Sequence, residues 1–211
     1  MIKFNETPNI ALDIETLSTQ PTAAIISIAA KVFTFEDGAV KDDKPCTQFF
    51  EIVSAASCAM YGMHFDMDTV NWWERQSSDA KAVFTDLTSK CNQPINKVLQ
   101  LLSTFISDIR AVSPDKRVLI WCQGTDFDIP ILRHAYCNVM KSPTPWKHDE
   151  VRDARTFING VIGLTYPGEK DPYKAIPKNP SWTPHDALSD VDQLIWNVCN
   201  VRYMFKNRYQ R

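Results

Sequence analysis

Asp13 and Glu15 stand two residues apart inside an apolar run, Ile10-Ala11-Leu12-Asp13-Ile14-Glu15-Thr16. In a strand, side chains alternate between faces, so this spacing puts both carboxylates on one side and Leu12 and Ile14 on the other. Two carboxylates side by side in a buried strand repel each other and lose hydration, and a cation between them relieves both costs. A lone D-x-E also suits a strand end facing solvent, or one carboxylate capping a turn. What the rest of the chain supplies decides between these readings.

Two further acidic sites follow. Gly124-Thr125-Asp126-Phe127-Asp128 comes after the apolar segment Arg117–Cys122 and opens a helix. In open α/β sheets, ligands gather at such carboxyl ends of strands. Asp126 is the expected helix N-cap and Asp128 the residue kept for chemistry, although a first-turn acid is also favoured by the helix dipole alone. The second site is Pro184-His185-Asp186-Ala187-Leu188-Ser189-Asp190. Asp190 lies three residues after Ala187 and four before Leu194, which places it on the apolar stripe of the last helix. No basic residue falls one turn away, so a metal ion would resolve an otherwise unpaired charge. Asp186 and Asp192 read as solvated. His185 precedes the helix, where its ring can point back toward Asp190. Four carboxylates from three segments suit hard divalent cations such as Mg²⁺, which takes few protein oxygens and keeps water and phosphate. Two such ions roughly 3.5–4 Å apart clamp the attacking and leaving oxygens of a phosphodiester. A neutral histidine beside them can take the proton of the attacking water.

Elements must bring these groups together. Residues 9–15, the apolar run 23–33 and Thr47–Val53 read as strands, with Asp37-Gly38 closing a hairpin. Helical spacing begins at Asp66 with Val70 and Trp73, then Ala80, Val83 and Phe84. A second helix over about 94–111 carries Ile95, Val98, Leu99, Leu102, Phe105, Ile106 and Ile109 on one stripe. Arg117–Cys122 is a short strand, and Phe127–Val139 is helical by Ile131, Ala135 and Val139. The proline-rich stretches 142–148 and 165–184 read as loops, the longer one of a length that is often functional. An amphipathic helix over 186–206 closes the chain. This order belongs to the α/β class: a mixed sheet flanked by helices.

The 211 residues suit one domain, 1–211, and 44% apolar with 23% charged residues is the composition of a globular protein. No apolar run approaches the roughly 18–20 residues of a membrane span, and the first residues do not read as a signal peptide. Six scattered cysteines without a C-x-x-C pair argue for reduced thiols in a cytoplasmic protein rather than a zinc or disulfide framework. A net charge of −2 argues against a binder of long duplexes, but not against an enzyme that grips a few nucleotides through bound metal.

The three motifs, Asp13-x-Glu15, Phe127-Asp128 and His185-x-x-x-x-Asp190, resemble in order and spacing the DEDDh 3′–5′ exonuclease superfamily, over about residues 9–195. Asn71-Trp72-Trp73-Glu74-Arg75-Gln76 and Arg152-Asp153-Ala154-Arg155-Thr156 are similar to segments of small bacterial and phage exonucleases related to the exodeoxyribonuclease of T-even phages. Many relatives carry Asn where Gln123 or Gly124 stands. The resemblance implies a ribonuclease-H-like fold, with Asp13, Glu15, Asp128 and Asp190 holding two Mg²⁺ ions, or Mn²⁺ in their place, and His185 as general base. It implies that Thr16 and Leu17 seat the terminal nucleotide. Trp73 fits the apolar stripe of its helix, while Trp72 is free to cover the surface or to stack on a base. Asp153 and Arg155 read either as a structural pair or as substrate contacts, with the structural reading favoured. The expected activity is release of nucleoside 5′-monophosphates from the 3′ end of single-stranded nucleic acid, DNA rather than RNA on the phage-like likeness. Alternatives are an exoribonuclease acting on short RNA and a silent nucleic-acid-binding scaffold. No membrane partner is expected; dimers are common among relatives, and a homodimer is compatible with the chain.

Overall fold

The computed structural model describes residues 4–40, 46–76, 92–165, 168 and 170–209. A six-stranded mixed sheet is the frame. Strand β1 (Asn9–Thr16) lies at its centre, antiparallel to β2 (Ile25–Thr34) and parallel to β5 (Leu119–Cys122). The hairpin expected at Asp37-Gly38 joins β2 to the two-residue β3 (Gly38–Ala39), and Gly38 takes the left-handed φ of +71° that glycine tolerates best. The outer edge of β2 also pairs with β4 (Gln48–Ile52), and β6 (Val151–Asp153) adds in parallel beyond β5.

Helices cover both faces. Ile10, Leu12 and Ile14 face one core with α3 (Ile95–Val112) and α4 (Asp128–Ala135), where the stripe predicted from Ile95 to Ile109 is buried throughout. The short helices α1 (Ala55–Met60) and α2 (Met67–Trp73) border this side. Ala11 faces the other core, with α5 (Ala154–Thr165) and α6 (Ala187–Tyr209). Asp13 and Glu15 continue the Ala11 side of β1, so strand periodicity directs both acids toward α6.

Sequence periodicity did not reveal α1, β6 or α5. The three residues of β6 are too few to show alternation, and Gly160 and Gly163 weaken the helical pattern of α5. The periodicity expected at Ala80, Val83 and Phe84 lies outside the described residues. Among the described residues no helix is long and apolar enough to cross a membrane, and the five described cysteines are unpaired.

Candidate active site

The carboxyl end of β1 is latched from one side. The indole N–H of buried Trp73 donates to the Thr16 carbonyl at 2.9 Å, and the Asp66 amide donates to the Leu17 carbonyl at 2.8 Å. Because Asp66 also caps α2 by accepting from the Asp68 amide, the helix and the strand end are held as one piece.

Asp128 is the first residue of α4 and is almost fully buried. Phe127 stands at the cap position without a side-chain bond, so Asp126, the sequence-based choice of cap, is instead exposed. The loop before α4 is held by Asp153, whose carboxylate accepts from the Thr125 amide and hydroxyl, and from the Thr156 amide at the start of α5. The structural role expected for Asp153 holds, but Arg155 is not its partner. The Arg155 guanidinium lines the acidic cavity instead.

Asp190 arrives on the first turn of α6, whose N-terminus is capped by Asp186 accepting from the Ser189 amide. One Asp190 oxygen accepts the Trp182 indole N–H at 2.7 Å and the other accepts the His185 amide at 2.8 Å. These two donors supply what no basic residue on the helix does. To aim its amide this way His185 adopts φ +64°, in the left-handed region uncommon for non-glycine residues. Its ring meets Trp72 edge-on, centroids 4.8 Å apart.

A cavity of about 270 Å³ is lined by Asp13, Glu15, Asp128, His185 and Asp190, together with Gln123, Gly124, Asp126 and Arg155. The ligating atoms of Glu15, His185 and Asp190 lie within 4.8 Å of one another. Thr16 and Trp72 line an adjoining pocket of about 450 Å³ with Thr19, Asp68, Thr69 and Trp73. Leu17 is buried in the core and is not part of that lining.

The acids are electrostatically unsatisfied. Burial, then Asp128, Glu15 and Asp190, push the Asp13 carboxyl well above the usual range. Burial, then Asp190 and Asp128, raise Glu15 to about 8. Burial raises Asp128 to about 7, although its own amide, the Ile14 amide and the Arg155 charge oppose the shift. Burial raises Asp190 against the Trp182 and His185 bonds. Oxygen donors that converge and repel one another fit a divalent cation, whose charge would reverse each of these shifts.

The fold has counterparts among solved structures. The chain is similar to the zinc-bound Escherichia coli exonuclease I–single-stranded DNA complex, at 15% identity and a TM-score of 0.65, covering 98% of this chain and 42% of that one. It is similar to exonuclease I from Methylocaldum szegediense at 12% identity and a TM-score of 0.62, covering 97% and 43%. The likeness establishes a common fold, and the chain spans less than half the length of these proteins. Comparison with curated protein sequences gives no match. Residues 8–201 match the family model described as the 3′-5′ exoribonuclease Rv2179c-like domain, and the chain therefore belongs to this family of 3′–5′ exonucleases.

Proposed function

We propose that the protein is a metal-dependent 3′–5′ exonuclease that removes nucleoside 5′-monophosphates from single-stranded nucleic acid. The observation that carries this reading is the convergence of Asp13, Glu15, Asp128, Asp190 and His185 on one cavity. The four carboxylates would hold the cations. Two bound Mg²⁺ ions, or Mn²⁺, would supply Lewis-acid stabilisation of the attacking and leaving oxygens. His185 takes the proton of the attacking water; its ring is held against Trp72, close to Glu15 and Asp190. The adjoining pocket, with Thr16 on its wall and Trp72, Trp73 and Phe127 as aromatic surface, receives the terminal nucleoside.

RNA is the favoured substrate, because the family description names an exoribonuclease. DNA, expected from the phage-like motifs, is the second reading, supported by the fold shared with exonuclease I in its single-stranded DNA complex. Matched 5′-labelled RNA and DNA strands incubated with Mg²⁺, with Mn²⁺ or with chelator test the proposal. Stepwise shortening that chelator abolishes is expected, with the faster ladder identifying the sugar. Immediate release of a labelled mononucleotide would overturn the polarity. Activity undiminished by chelator would overturn the metal dependence, and no cleavage at all would favour a silent scaffold.

A further inference from the structure

This inference rests on the exonuclease reading above. Three cavities adjoin in a row. The terminal pocket shares Glu15, Phe127 and His185 with the central acidic cavity. The central cavity in turn shares Asp13, Gln123 and Asp190 with a third, of about 560 Å³, between α6 and the 173–182 segment. A strand whose last nucleoside fills the terminal pocket, and whose scissile linkage lies against the carboxylates, leaves on the side away from that pocket. Arg155 lines the central cavity and neither flanking one, but it packs against Gly124 and lies beside Tyr173, which lines the third cavity, so it stands where the central cavity meets the exit side.

Its placement is not explained by a structural ion pair, although its charge favours the ionised form of the nearby Asp128. Arg155 is exposed in the first turn of α5, where the helix dipole disfavours a cation. Asp153 is committed to Thr125 and Thr156, and among the described residues Arg155 has no carboxylate at ion-pair distance. The guanidinium is nevertheless held in place. It packs over Gly124, where a Cβ would come within 3.3 Å of Nη1. The Tyr173 hydroxyl accepts from the Gln123 side-chain Nε2 at 2.6 Å and is hydrogen-bonded to the Arg155 side chain. A fixed guanidinium with unused donors matches the oxygens of a phosphodiester.

We propose that Arg155 binds the phosphodiester immediately 5′ of the scissile one and holds the upstream strand during cleavage. That linkage is the first anionic group of the strand to pass beyond the carboxylates and their cations.

The test is equilibrium binding of the full chain, with Ca²⁺, to 3′-end oligonucleotides carrying one neutral methylphosphonate at either the first or the second linkage. In the wild type, neutralising the second linkage is expected to weaken binding about ten-fold, the scale of one charge-assisted hydrogen bond. Arg155→Gln should bind the modified and unmodified strands equally, and Arg155→Lys should lie between. The inference is overturned if Arg155→Gln keeps the full second-linkage loss. It is also overturned if the variant erases only a first-linkage loss, which would put Arg155 on the scissile phosphate. Cleavage of the unmodified strand with Mn²⁺ is scored separately. Intact linkage-specific binding without cleavage would overturn the exonuclease reading alone.

Discussion

Two groups of buried carboxylates in this protein have opposite electrostatics. Glu150 is fully buried, yet its oxygens receive Arg110 Nη1 at 2.6 Å, Arg110 Nη2 at 2.9 Å and the Lys147 amide at 2.8 Å. Arg110 is itself anchored on the Pro145 and Lys116 carbonyls. Burial pushes the Glu150 carboxyl up, but these donors outweigh it and hold the group below the ordinary range. At the carboxyl ends of β1 and β5 the same kind of group is buried among its own kind and is pushed upward. Glu150 is a closed structural pair. The acid cavity is left open to an added positive charge, which is how a binding site differs from a staple.

The comparison is tested hardest by neutralising one acid from each group. Asp13→Asn should lower turnover by more than about 100-fold, beyond the usual loss from removing an outer-shell partner of a metal. Thermal unfolding of the metal-free variant should match or exceed the wild type, since a repelled charge is gone. Glu150→Gln should do the reverse. Stability should fall by about 3–5 kcal/mol in denaturant titration, because Arg110 loses its partner, while turnover per folded molecule stays near wild type.

His185→Ala should lower turnover by about 10²–10⁴, the range for general-base assistance, with metal affinity unchanged in calorimetry. A parallel loss of metal affinity would make His185 a ligand, which its nearness to Glu15 and Asp190 allows.

The pH dependence of stability sharpens the contrast further. With Glu15 near 8 and Asp128 near 7 in the folded protein, the native state binds more protons than the unfolded chain between about pH 4 and those values. The metal-free protein should therefore gain stability as pH falls from 8 toward 5 and lose it as pH rises, measured by melting temperature. Glu150 acts oppositely, below the ordinary carboxylate range, and does not mask the trend. The smallest effect concerns the His185 backbone. His185→Gly should be more stable than His185→Ala by about 0.5–1 kcal/mol, because glycine adopts its positive φ without strain.

How far the sequence announced all this follows from the range of each interaction. Asp13 and Glu15 were legible because a strand has a period of two, and Asp190 because it interrupts a helical stripe. The strands β1, β2 and β5 and the long helices α3 and α6 were legible through their periodicity. Glu150 carried no signal, since Arg110 lies 40 residues away in the chain. Trp182 carried little, because its bond to Asp190 is made from a proline-rich loop without a periodic pattern. Arg155 sat beside an apparent partner in Asp153, and only the three-dimensional course of the 124–128 loop turns them to different tasks.

The central claim is that the acid cavity is built to receive divalent cations. Calorimetric titration of the protein with Mn²⁺ at pH 7, in two buffers of different ionisation enthalpy, tests it most directly. Binding should be accompanied by net proton release, because Glu15 and Asp128 hold protons near that pH until a cation displaces them. Absence of binding, or binding with no protons released, would contradict the account.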